Sequence, residues 1–306
     1  MTKGHLAYTS DWLKALLWFG IMIFLTLFVM ALWTILPIDH QSTPSLKWFQ
    51  FIQTCATFFI PPFLVAYLYS PQPVSWLQLD RIPQWSFGIA AMFIMLIALP
   101  AINLIADWNS RMSLPEVLKP LEELMRQQEE AAMALTERFL RGKGIEMLLI
   151  NIGLMALLPA MAEELTFRGV LQRLAAGVES IGGTKLTKRQ HISIWGIAIV
   201  FSAIHFQFFG FVPRMLLGAL FGYMVAWTGS LWIPILMHFT NNAVTVIAYW
   251  IIYNNGLNPD TVESFGTGET LWLGIISCVI TVAAVYLFWR RSRTISNASS
   301  RISGGN

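Results

Sequence analysis

Leu157-Leu158-Pro159-Ala160-Met161-Ala162-Glu163-Glu164-Leu165-Thr166-Phe167-Arg168 sets two adjacent carboxylates and an arginine at the end of a long apolar run. A charged side chain at the centre of a bilayer costs about 2.5–3.5 kcal/mol or more, so ionisable groups inside spanning segments face a bundle interior and mark function. Whether this stretch lies in lipid therefore decides both fold and site. The whole chain answers in favour of lipid: its 306 residues are 56% hydrophobic and only 12% charged, with a mean hydropathy of +0.58. Such a composition excludes a soluble domain and predicts an all-α, polytopic transmembrane bundle.

Windows of about 20 apolar residues predict eight spans: Ala15 to Pro37, Phe49 to Tyr69, Ser86 to Ala106, Ile145 to Ala162, Ile192 to Phe206, Phe211 to Trp227, Leu231 to Trp250 and Leu271 to Trp289. The first run is too long for a signal-peptide core and has no clear cleavage site, so it reads as a retained span. Cationic loops set orientation. Arg168, Arg173, Lys185, Lys188 and Arg189 follow the fourth span, and Arg290, Arg291, Arg293 and Arg301 follow the last. The 251–270 link carries Asp260, Glu263 and Glu269 without Lys or Arg. Both termini are accordingly expected in the cytoplasm, across a prokaryotic plasma membrane. Cys55 and Cys278 lie in apolar stretches without CxxC spacing and read as packing residues.

The organisation expected is a three-span region (1–106), an amphipathic juxtamembrane helix (107–143), a membrane core (144–250), an extracytoplasmic loop with the last span (251–289), and a basic, disordered tail (290–306). In the second of these, Leu114, Val117, Leu118, Leu121, Leu124, Leu135 and Phe139 recur at helical spacing among charges. Ser113 is placed to cap that helix, with Pro115 in its first turn. It reads as a surface helix at the interface, or as a gate for the bundle.

Chemistry-bearing residues concentrate between Glu163 and Asn242. His238 and Asn242 stand four apart and share a helix face, as do Glu164 and Arg168. Glu164 can therefore pair with Arg168, leaving Glu163 pointed elsewhere as the candidate general base. His205 closes Phe201-Ser202-Ala203-Ile204-His205 in the fifth span. Each residue alone has a plain structural reading: a carboxylate pair at an interface, a hydrogen-bonded histidine, an asparagine bonded to a neighbouring helix. Together they supply a base, a second proton-handling group and oxyanion donors.

Glu163-Glu164-x-x-x-Arg168, Phe201-x-x-x-His205 and His238-x-x-x-Asn242 resemble, in order and spacing, the motifs of the CPBP intramembrane proteases, which include CAAX prenyl endopeptidases of the Rce type and bacterial Abi proteins. The resemblance covers roughly Glu146 to Trp250. It implies peptide-bond hydrolysis in a membrane-associated peptide or protein, with Glu163 and His205 activating a water, and His238 and Asn242 stabilising the oxyanion. Arg168 would keep Glu164 ionised. One Glu with two His is also a familiar zinc set, so Glu163, His205 and His238 are the ligands if one Zn is bound. His-Glu-x-x-His is absent, and the resemblance favours a metal-free glutamate mechanism. A non-catalytic binding or immunity protein and a proton-coupled transporter are the alternatives, although no internal repeat supports the transporter. The bilayer is the expected partner, and nucleic acid is not.

Complete crossings would leave Glu163 and His205 toward opposite membrane faces. Continuation of the fourth helix through Leu165, Val170, Leu171 and Leu174, with a short fifth span ending in mid-membrane, would bring them to one level.

Overall fold

The computed structural model describes residues 3–177 and 186–303, with the backbone alone at 260, 263 and 295–303. Lys185 lies outside the described residues, as do 304–306 of the tail. The described chain is a helical bundle: α1 Asp11–Ile35, α2 Thr43–Tyr69, α3 Trp85–Ser110, α4 Lys119–Leu140, α5 Ile145–Ala176, α6 Lys188–Ala203, α7 Phe211–Thr228, α8 Trp232–Asn255 and α9 Leu271–Ser303. Seven of these are long and apolar enough to cross a membrane. The eighth expected span is α6, which has 16 residues and so extends only about 24 Å.

Contacts between helix ends sort the connections into two sets. At one end Gly4 N–H donates to the Tyr67 carbonyl (3.0 Å), Trp232 Nε1 to the Leu79 carbonyl (2.9 Å) and Arg189 Nε to the Ala175 carbonyl (2.9 Å). At the other, Arg138 of α4 donates to Thr43 Oγ1 (2.9 Å), Tyr253 of α8 contacts Glu137 (3.3 Å), and Asn109 of α3 reaches the Phe208 carbonyl (3.2 Å). Each successive helix other than α4 joins one set to the other, so these eight helices alternate in direction along the bundle.

Three boundaries differ from the sequence reading. The fourth span outruns its window end at Ala162, and α5 continues to Ala176 along the extension expected through residues 165, 170, 171 and 174. Asp107 belongs to α3, and the amphipathic helix begins at Lys119 after a 3₁₀ turn, Glu116–Leu118, with Pro120 rather than Pro115 in its first turn. No side chain caps that start. Instead of Ser113 acting as a cap, the Glu122 carboxylate folds back to accept the Leu114 N–H at 2.8 Å. The backbone of α9 runs to Ser303 through most of the segment expected to be disordered. No Gly or Pro interrupts it between Gly274 and Gly304, so nothing in the sequence breaks the helix.

Prolines shape the interior. Pro62 has no N–H to offer the Phe58 carbonyl one turn earlier, a π-helical turn Cys55–Phe59 precedes it, and Thr166 Oγ1 of α5 donates to that carbonyl at 2.9 Å. Next to Pro100 in α3, the hydroxyl of Ser277 in α9 accepts the Ala101 N–H at 3.1 Å and donates to the Ile97 carbonyl. Backbone groups freed in lipid are satisfied by neighbouring helices, and each such bond locks two helices together. Cys55 and Cys278 are half-buried free thiols.

Candidate active site

Pro159 governs the helix that carries both carboxylates. A π-helical segment, Ile152–Leu157, precedes it and a second, Leu165–Gln172, follows Glu164. Such bulges are rare and concentrate at functional sites. Pro159 cannot donate to the Met155 carbonyl four residues earlier, and Asn242 Nδ2 approaches that carbonyl at 3.4 Å. The Asn242 amide is thus tied to α5, with its oxygen held by Asn241 Nδ2 at 3.1 Å.

Glu164 is 0% exposed and Arg168 2%. Arg168 Nη1 donates to Glu164 Oε1 at 2.8 Å, and its Nη2 donates to the Gly218 carbonyl of α7 at 2.8 Å. The guanidinium lies over the rings of Phe201 (4.7 Å) and Phe221 (5.4 Å), a cation–π enclosure suited to a charge without water. The same Glu164 oxygen meets His238 Nδ1 at 2.9 Å. A carboxylate oxygen accepts, so Nδ1 carries a proton and Nε2 points away from Glu164. Phe221 stacks on the imidazole at 5.5 Å, fixing the ring plane.

The adjacent Glu163 occupies different surroundings. Its side chain is 17% exposed, and its Oε2 stands 3.9 Å from His238 Nε2. His205 follows α6 in the turn that leads to α7, where its Nδ1 donates to the Phe201 carbonyl at 2.8 Å, so its Nε2 is also the free nitrogen. Both imidazoles pack edge-on against Phe201, at 5.1 Å and 6.2 Å. The fold therefore gathers Glu163, Glu164, Arg168 and His238 in direct contact, with His205 across Phe201 and Asn242 one turn along α8.

Sequence reasoning missed Arg214. It is an arginine in the otherwise apolar first turn of α7, donating to Gln207 Oε1 (2.6 Å) and to the Gln207 carbonyl (3.3 Å), within electrostatic reach of Glu163. Its signal was legible, because an arginine inside an apolar span needs a partner. A catalytic zinc requires three protein donors converging on one point. Among the described residues no three His, Cys, Asp or Glu side chains form such a group. The zinc set expected as one alternative from Glu163, His205 and His238 does not fit this geometry, since only the Glu163–His238 pair comes close.

The fold and the cluster define a polytopic helical membrane protein with a buried, hydrogen-bonded Glu/His/Asn constellation. Residues 145–244 match the family model of the type II CAAX prenyl endopeptidases, Rce1-like, so this segment carries the domain of the CPBP protease family. The first three spans and the last lie outside the match. The uncharacterized protein YpbD of Bacillus subtilis (strain 168) is 34% identical over 98 residues, 31% of this chain and 43% of that protein. The chain thus spans less than half the length of this curated relative. No solved structure matches the chain.

Proposed function

We propose that the chain is an intramembrane endopeptidase that hydrolyses a peptide bond in a membrane-associated peptide or protein. Glu163 takes a proton from a water, with His205 Nε2 as the second proton acceptor, and the hydroxide adds to the scissile carbonyl carbon. The carbonyl oxygen becomes an oxyanion held by Asn242 Nδ2 and by the Nε2–H of His238, which enters the step already protonated as an imidazolium. Collapse expels the amine, which takes its proton from Glu163. Glu164 gives this scheme its physical basis: a carboxylate on Nδ1 stabilises the imidazolium, as in a serine-protease triad, and so lets Nε2 donate. A positioned base contributes about 10²–10⁴-fold and one oxyanion donor about 10²–10³-fold.

The observation that carries the reading is the 3.9 Å approach of Glu163 Oε2 to an imidazole nitrogen whose ring partner is fixed by a second, fully buried carboxylate. The family match over 145–244 supports protease chemistry rather than transport. In the proposed orientation both termini face the cytoplasm of a prokaryotic cell. The test compares membrane proteomes of cells carrying wild type and Glu163→Ala. A precursor should accumulate only in the variant, and identical peptide profiles would leave a non-catalytic binding protein as the better account.

A further inference from the structure

The turn that carries His205 is irregular backbone between two short helices, and something must hold it. Phe206 sits at φ +53, a left-handed conformation that costs a non-glycine residue about 1–2 kcal/mol. Its shape is imposed from outside the hairpin. Asn109 at the end of α3 donates to the Phe208 carbonyl (3.2 Å) and accepts the Val212 N–H (2.7 Å). Glu129 of α4 accepts the Phe209 N–H at 2.9 Å, and the Arg126 guanidinium lies 4.0 Å over the Phe209 ring.

Glu129 also faces Arg214. A Cβ built on Gly210 would stand 3.2 Å from Arg214 Nη2 and 3.8 Å from Glu129 Oε1, so guanidinium and carboxylate flank one glycine. Arg214 in turn grips the same turn, donating to Gln207 Oε1 at 2.6 Å and to the Gln207 carbonyl at 3.3 Å, two residues from His205. Glu129 of α4 and Arg214 of α7 therefore brace the same turn. At its far end α4 is tied down again, by Arg138 to α2 and by Asn151 Nδ2 to the Phe139 carbonyl at 2.9 Å.

We infer that α4 is a strap fastened at its middle and at its C-terminal end, and that Glu129 is a positioning residue that sets the His205 turn and the Arg214 side chain for the hydrolysis proposed above, on which reading its role in turnover rests. Glu129 touches neither substrate nor water. It acts through the Phe209 amide and through Arg214.

Two readouts test this on the full-length protein in nanodiscs. The first is amide hydrogen exchange over 204–212, which needs no substrate. Glu129→Ala should speed exchange there by about tenfold or more, the loss of roughly one charge-assisted hydrogen bond. The exposed neighbour Glu130→Ala should leave it unchanged. The second uses the precursor found with Glu163→Ala. Glu129→Ala should lower kcat by about tenfold with KM and Tm near those of Glu130→Ala, and Glu129→Gln, which retains an acceptor for the Phe209 N–H, should recover most of the rate. Unchanged exchange in Glu129→Ala overturns the strap. Loosened exchange with unaltered kcat overturns the positioning role. A wild-type protein that cleaves nothing sinks the protease reading instead, and the exchange readout still decides the strap.

Discussion

Arg168→Met should be among the most destabilising single changes in the bundle. The methionine replaces the aliphatic stem at similar volume, so little cavity forms, and what is lost is charge and hydrogen bonding. Arg168 gives up its 2.8 Å bonds to Glu164 and to the Gly218 carbonyl, and Glu164, 0% exposed, keeps only His238 as a partner. Breaking a buried pair from one side costs about 3–5 kcal/mol, because the remaining charge stays out of water. At about 1.4 kcal/mol per decade that is two to four decades in the unfolding equilibrium. Adding Glu164→Leu removes the stranded carboxylate, and paired apolar replacement is often neutral or stabilising, so the double variant should regain most of the loss. It should still be inactive, since His238 then lacks the carboxylate on Nδ1. Reversible denaturant unfolding in micelles, followed by the fluorescence of the 13 tryptophans, reads both arms. A loss under about 1 kcal/mol for Arg168→Met, or a double variant as unstable as the sum of its singles, would refute the account of Glu164 as a carboxylate stabilised by Arg168.

Asn242→Ala removes a long 3.4 Å bond to the Met155 carbonyl and should cost about 1 kcal/mol of stability at most, while lowering kcat by about 10²–10³ if the amide is an oxyanion donor; equal small effects on both would leave it a helix tie. The pH response of the strap follows from Glu122, held below the ordinary carboxylate value of 4.5 first by the Leu114 N–H and then by Arg126. Its folded value is lowered, so its contribution is complete above the unfolded value and fades as pH falls through the folded one. Exchange at 112–126 should therefore rise on acidification below about pH 4.5, and Glu122→Gln should flatten that rise; an undiminished acid response in the variant would exclude Glu122 as its source.

Patterns confined to one helix were readable from the sequence. Glu164 and Arg168, or His238 and Asn242, need only the 3.6-residue period to share a face, and the continuation of α5 past Glu163 needs only its apolar residues at 165, 170, 171 and 174. What escaped was set by partners distant in the chain. The Ser113 cap failed because the Glu122 carboxylate, eight residues beyond Leu114, reached the backbone first. Glu129 and Phe209 are 80 residues apart, and nothing local in either announces the other. The bonds from Thr166 and Asn242 to proline-orphaned carbonyls belong to the same class. Each proline is visible, but which neighbouring helix supplies the missing donor is a property of packing.

Helix lengths explain how residues from opposite-running segments reach one level. His238 lies six residues into α8 from Trp232, about 9 Å, and Glu163 lies 13 residues short of the Ala176 end of α5, about 20 Å along its axis. These two ends share a membrane face. The 32 residues of α5 extend about 48 Å, well beyond a hydrocarbon core of about 30 Å, an excess of the kind that tilting or kinking accommodates, and tilt would reduce the depth of Glu163 toward that of His238. His205 arrives by the opposite route. It follows a helix of 16 residues, about 24 Å long, which is shorter than a hydrocarbon core of about 30 Å. Irregular backbone like the turn after that helix is tolerated at membrane depth only where protein or a wet cavity covers it. On the far side α4 packs against this turn through the bond between Glu129 and the Phe209 N–H, so the amphipathic segment outside the 145–244 match touches the turn that carries His205.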